Sequence, residues 1–205
     1  MALRIAQGQW EKYLTLELAR TRNRVEDMYA IVSKFQFAKI GVHGAAGNVG
    51  AYAVQLASQA GLQVFATASS ADAPVVRSLG ATTVIDYKTT RFEEVVPPLD
   101  VVIDTVGGDT RARSFGIIKP GGMLVSVVSE PMPERQQSHG VRAVFFLVEV
   151  TTARLDTITA LFDRGKLTAR VGTVLPLEQA RTAHEMLGGA PHKRGKIVLS
   201  VAAPV

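Results

Sequence analysis

His43-Gly44-Ala45-Ala46-Gly47-Asn48-Val49-Gly50 is the stretch on which the fold of this 205-residue chain turns. Its glycines stand at G-x-x-G-x-x-G. Ahead of it lies Ala38–His43 (AKIGVH), short and apolar, as a buried strand is. Behind it, Asn48–Ala60 sets Val49, Ala53, Leu56, Ala57 and Ala60 on one helical stripe, and Gly61 supplies a stop. A glycine pattern carries weight only in such a strand–turn–helix setting. Gly44 has no Cβ to obstruct a tight turn. Gly47 lets backbone come close to an anion, and Gly50 lets the helix lie close to the sheet. The amides of the first helical turn, around Asn48 to Gly50, then face the space over the loop, where a phosphate is favoured. The plainer alternative is a βα turn and nothing more.

The rest of the chain bears on that choice. Strand-like and helix-like runs alternate outward from the loop. Gln63–Ala68 reads as a second strand, Ala73–Gly80 as a short helix and Thr83–Asp86 as a third strand. Val101–Val106 (VVIDTV) is a continuous run of the kind buried parallel strands show. A helix over Asp109–Ile118, a turn at Pro120-Gly121-Gly122, and strands at Met123–Val128 and Val141–Val150 follow, then a helix over Thr152–Arg164 stopped by Gly165. Strands and helices at this spacing make βαβ units around a parallel sheet, and right-handed crossovers wind them doubly. The expected class is α/β: a Rossmann doubly wound six-stranded parallel sheet in the order 3-2-1-4-5-6, over residues 38–165. Residues 1–37 form a short N-terminal extension with a helix over Glu17–Lys34. Residues 166–205 form a tail of strand (Arg170–Leu175), helix (Leu177–Leu187) and strand (Lys196–Val201) that leaves the alternation.

Composition narrows the function. Hydrophobic residues make up 47% and charged ones 20%, which is enough apolar matter for a core. With no cysteine, disulfides and thiolate metal sites are excluded. His43, His139, His184 and His192 form no metal-binding pattern, so no metal is expected. No apolar run has signal-peptide or membrane-helix length, so the expectation is a cytoplasmic protein without a membrane partner. The net charge of +5 comes from scattered Lys and Arg; Arg20, Arg22 and Arg24 alternate without an aromatic or glycine platform. This reads as attraction for a small anion, with no nucleic-acid partner. Tyr13, Tyr29, Tyr52 and Tyr87 are followed four residues on by Glu17, Ser33, Leu56 and Arg91, so the Tyr–Lys proton relay of short-chain dehydrogenases is absent. There is no GxSxG elbow and no Walker loop. No catalytic acid or base is named; a bound nicotinamide would carry the chemistry.

The end of the second strand discriminates between dinucleotides. A carboxylate there would accept from a ribose 2′-hydroxyl and mark NAD; a 2′-phosphate needs donors and positive charge. The strand ends Thr67-Ala68-Ser69-Ser70, with Arg77 one short helix away, which favours NADP(H). Asp72 is the discordant residue. Ser69 and Ser70 also suit a simple helix cap.

Taken together, VHGAAGNVG, AVQLASQAG, RSLGATTVIDY, DVVIDTVGGDT, IIKPGGMLVSVV, VFFLVE and RGKIVL resemble the zinc-free quinone-oxidoreductase group of the medium-chain dehydrogenases and reductases, over about residues 38–202. The resemblance implies an NADPH-dependent oxidoreductase passing hydride to a quinone, enone or similar small electrophile. It implies that Gly44, Ala46, Gly47, Asn48, Val49 and Gly50 hold the pyrophosphate, and that Ser69, Ser70 and Tyr87 surround the 2′-phosphate. Thr105 and Val106 would line the dinucleotide, and Val128, Ser129, Phe146, Leu147 and Val148 would meet the nicotinamide side. The Arg194-Gly195-Lys196 turn lies near the cofactor in that group, and Asp72 stands where some relatives carry a lysine. Read without the resemblance, Val106, Phe146 and Leu147 are ordinary core and Tyr87 a surface anchor.

The group also carries a first, barrel-like domain. Residues 1–37 read as a remnant of one, with Gly8–Tyr13 similar to the segment that closes it, and residues 166–205 as the piece that returns to it. The alternative function is a non-catalytic NADP(H)-binding remnant or redox-responsive module. Dimerisation through the sixth strand is implied as well. Lys196–Val201 is expected to present an unpaired edge, a template for association.

Overall fold

The computed structural model describes residues 39–130, 132–145 and 150–201. These fall into two compact units dividing after Leu161. The proposed N-terminal extension, with its helix over Glu17–Lys34, lies outside the described residues, as do Phe146, Leu147 and Val148.

The first unit is a six-stranded sheet, all parallel, in the order β3-β2-β1-β4-β5-β6. Its strands are β1 (Lys39–His43), β2 (Gln63–Ala68), β3 (Thr83–Asp86), β4 (Leu99–Asp104), β5 (Ile118–Ser126) and β6 (Arg142–Phe145). The helices between them are α1 (Gly50–Gln59), α2 (Ala73–Ser78), α3 (Phe92–Val95), α4 (Gly108–Ser114) and α5 (Pro133–His139), with α6 (Thr152–Asp163) after β6. This is the doubly wound order expected from the alternation. Each face of the sheet carries its own core: Ile40, Val42, Val64, Ala66, Val101 and Ile103 pack with Ala53, Val54 and Ala57 of α1, while Leu99, Val102 and Leu124 pack with Phe92, Phe115 and Val141. A strand buried on both faces has no polar side to expose, which is why these sequences run continuously apolar.

Several boundaries differ from the sequence reading. The fourth strand begins at Leu99, directly after Pro97-Pro98, and ends at Asp104, which leaves Thr105 and Val106 in the loop. Pro120-Gly121-Gly122 does not precede the fifth strand but is absorbed into it. Leu99 pairs with Ile118 and Val101 already with Met123, so the residues between bulge out of the ladder. Gly121 there donates its N–H to Gly140 O at 2.7 Å. The short helices α3 and α5 are too brief for periodicity to reveal. Val49 precedes α1 and is 44% exposed, so the buried stripe starts only at Gly50 and widens to include Val54 and Gln55.

The second unit is a parallel pair, β7 (Val171–Pro176) and β8 (Lys196–Ser200), bridged by a 3₁₀ turn and α7 (Ala180–Leu187). The last strand therefore has a partner on one edge. No helix among the described residues is long and apolar enough to cross a membrane.

Candidate functional site

The sheet order reverses between β1 and β4, and in doubly wound sheets ligands bind in the crevice at the carboxyl ends of such neighbours. The loop after β1 forms one wall. Gly44 has φ +70°, and a Cβ on it would sit 2.4 Å from Thr105 Oγ1. A Cβ on Gly50 would sit 2.2 Å from Gly44 O. Both glycines are thus required by the protein's own packing. Gly47 differs: a Cβ there would meet only Gly44 O, at 3.1 Å. The tip Ala46, Gly47, Asn48 and Val49 is exposed, Val49 at the N-cap of α1 makes no side-chain cap, and the first turn holds no acidic residue. An anion over this tip would face the positive end of a ten-residue helix.

Beneath the loop lies a buried polar chain. His43, 2% exposed, has its Nδ1 3.1 Å from Thr67 Oγ1 and its Nε2 3.0 Å from Ser114 Oγ. Gly44 N donates to Thr67 Oγ1 (3.3 Å), and Ser114 Oγ donates to Thr110 O (2.7 Å). One arrangement satisfies every partner: the Thr67 hydroxyl donates to Nδ1, and neutral His43 donates from Nε2 to Ser114. Burial is the main reason His43 is lowered from 6.5 to about 4; Asp104 pulls the other way. His43 is thus buried with both ring nitrogens engaged inside the fold.

The residues expected around the adenosine 2′-phosphate lie at or near the tips of β2 and β3. Ser69 is buried and donates its hydroxyl to the buried Asp72 at 2.6 Å. That bond turns both inward. Ser69 is thus buried against Asp72, whereas Ser70 and Tyr87, expected beside it, are exposed. Ser70, Arg77, Tyr87 and Lys88 are exposed. Asp86 accepts from the N–H groups of Ser70 (3.1 Å) and Lys88 (2.9 Å), which joins the two tips.

The far wall is built on Asp104, fully buried at the end of β4. Its Oδ1 accepts from Val106 N (3.0 Å) and Gly107 N (2.8 Å), and its Oδ2 from Ser126 Oγ (2.9 Å). Val106 and Val128 are left 50% and 46% exposed, with Gly107 (φ +80°) between them and a Cβ there only 3.1 Å from Val128 Cγ1. Thr105 and Ser129 are half-buried beside them. Of the residues the sequence singled out, the structure sets Thr105 against Gly44 and Val128 and Ser129 against Gly107, beside Val106; the buried polar partners Asp104, Ser126 and Thr67 were not among them. A lone carboxylate within VVIDTV was the available signal, because a charge in a buried strand demands partners.

Residues 79–199 match the family model described as zinc-binding dehydrogenase. The chain belongs to the zinc-binding dehydrogenase family. It is 34% identical over 172 residues to a probable zinc-binding oxidoreductase, mitochondrial, of Arthroderma benhamiae, covering 80% of this chain and 52% of that protein. It is 32% identical over 181 residues to a 2-haloacrylate reductase of a Burkholderia species, covering 77% of this chain and 54% of that protein. The quinone oxidoreductase of Coxiella burnetii superposes with a TM-score of 0.77 at 31% identity, over 86% of this chain and 57% of the other. The chain spans about half the length of the relatives it matches. As in the medium-chain dehydrogenases at large, the part in hand is the nicotinamide-cofactor domain of an oxidoreductase family.

Proposed function

We propose that the first unit binds NADP(H) and that the whole protein uses it to pass hydride to a small electrophile of the quinone or enone kind. The observation that carries this reading is the exposed tip Ala46–Val49, where glycine at 47 answers no strong demand of the fold while Gly44 and Gly50 plainly do. A cradle of that form fits a pyrophosphate. Ser70, Tyr87 and Arg77 supply exposed donors and positive charge suited to a 2′-phosphate, and Asp72, tied to Ser69, does not compete for a ribose hydroxyl.

Thr105, Val106, Val128 and Ser129 would hold the nicotinamide end in place, with Phe146, Leu147 and Val148 joining them by likeness to the family. A nicotinamide bound in reduced form supplies the hydride; the chain binds and orients it. The quinone oxidoreductase and 2-haloacrylate reductase among the relatives support the electrophile class. The test is titration with NADPH and NADH by nucleotide fluorescence, then NADPH oxidation against a panel of quinones, enones and haloacrylates. NADPH preference with turnover of one panel member is expected. Equal affinity, or preference for NADH, overturns the NADP reading, and tight binding without turnover restricts the chain to a binding role.

A further inference from the structure

His43, Asp104 and Ser126 are register partners on three adjacent strands, β1, β4 and β5, and close the carboxyl edge of the sheet. All three are polar and at most 2% exposed. Each secures the loop that follows a strand. His43, through Thr67 Oγ1, holds the amide of Gly44. Asp104 holds the amides of Val106 and Gly107. Ser126 accepts from the N–H groups of Val128 (3.3 Å) and Ser129 (3.4 Å) while its hydroxyl donates to Asp104. A hydrophobic residue at any of these positions would fill the same space, and buried polar groups are costly unless every partner is met. What apolar packing does not provide is a fixed orientation of loop amides.

We infer that Asp104 and Ser126, in line with His43, are positioning residues for the nicotinamide half of the bound dinucleotide. They act through the loops they hold rather than by contact. Asp104 carries most of the arrangement. Its carboxylate accepts in two directions at once, fixing the 105–107 loop with one oxygen and β5 with the other. Val106 and Val128 stand exposed on either side of Gly107 because that clamp lies beneath them. Asparagine at 104 keeps the shape but replaces one acceptor with a donor. Its NH2 then either opposes the two N–H groups of Val106 and Gly107 or forces the Ser126 hydroxyl, which already accepts from Val128 and Ser129, to accept once more instead of donating. A displaced wall misplaces a ligand without unfolding the sheet, and displacements of about 1 Å can cost up to about a hundredfold in function.

The inference rests on the dinucleotide reading above, and the experiment separates the two. The full chain, Asp104→Asn and Ser126→Ala are titrated with NADPH, and with ADP-ribose carrying the 2′-phosphate, which ends before the nicotinamide, while circular dichroism monitors the fold. We expect both variants to weaken NADPH by about tenfold or more and to leave the 2′-phosphorylated ADP-ribose within about twofold. Equal loss of both ligands, or no loss of either in folded variants, overturns the positioning role while sparing the site. Failure of the unaltered chain to bind NADPH, NADH or the 2′-phosphorylated ADP-ribose overturns the reading beneath it. Should Asp104→Asn not fold, Ser126→Ala, which removes a single hydroxyl from the same clamp, decides by the same two titrations.

Discussion

Thr105 donates its hydroxyl to the main-chain carbonyl of His43 at 2.7 Å, fastening the loop after β4 to the last residue of β1. The same oxygen occupies the space a side chain on Gly44 would need, 2.4 Å from its ideal Cβ. The two walls of the crevice therefore meet at one point. Gly44→Ala should destabilise the chain by about 1–3 kcal/mol, through the positive φ and the contact together. In Thr105→Ala/Gly44→Ala part of that loss should return, with a coupling energy of about 0.5–3 kcal/mol. Urea unfolding of the two single variants and the double variant measures this; strictly additive losses would show that the contact is relieved elsewhere.

Gly47 and Gly50 should fail in opposite ways. Gly47→Val is expected to keep its circular dichroism and lose dinucleotide binding, because residue 47 is exposed and its Cβ would meet only Gly44 O, at 3.1 Å. Gly50→Ala is expected to lose stability first, because its methyl meets Gly44 O at 2.2 Å. If Gly47→Val retains full affinity, the loop is a turn and nothing more.

Ser69 and Arg77 divide fold from specificity. Ser69→Ala removes a buried hydroxyl from Asp72 and should lower stability by about 1–3 kcal/mol while leaving the ratio of NADPH to NADH affinity unchanged. Arg77→Ala should narrow that ratio with little effect on stability, since the side chain is exposed. A ratio that moves with Ser69 and not with Arg77 would place the 2′-phosphate elsewhere.

Acid should destabilise this chain in two stages. His43 is lowered from 6.5 to about 4, first by burial. Above pH 6.5 it is neutral folded or unfolded; between 6.5 and 4 the unfolded chain takes up a proton that the folded one refuses. Stability is then complete above 6.5 and falls as pH drops towards 4, by up to about 3 kcal/mol. Glu93 follows. Burial would raise it, but hydrogen bonds from Arg113 and Arg91 outweigh that and hold it at about 2 instead of 4.5. Its contribution is present above 4.5 and lost as pH falls towards 2. Denaturant midpoints between pH 7 and pH 4 should decline in the parent and decline less in His43→Gln. Parallel declines would place the titrating group elsewhere.

The sequence by itself determined the sheet. Largely apolar runs such as AKIGV and QVFATA, separated by helix-like segments and punctuated by Gly44, Gly61 and Gly80, point to one winding, because burial, strand period and crossover handedness all act locally or along the chain. It also located the loop after β1, whose glycines announce a turn. Only the tertiary structure decided which of those glycines admit no Cβ at all and which meet a milder contact, since a Cβ would come within 2.4 Å of Thr105 at Gly44 and 2.2 Å of Gly44 O at Gly50, against 3.1 Å at Gly47. The tertiary structure likewise turned Ser69 and Asp72 from rival cofactor ligands into each other's partner. It drew His43, Asp104 and Ser126, far apart in the chain, into one row. Apolar burial adds up residue by residue and can be read in a line, whereas a hydrogen bond depends on the position and direction of two groups that only the folded sheet brings within 3 Å of each other.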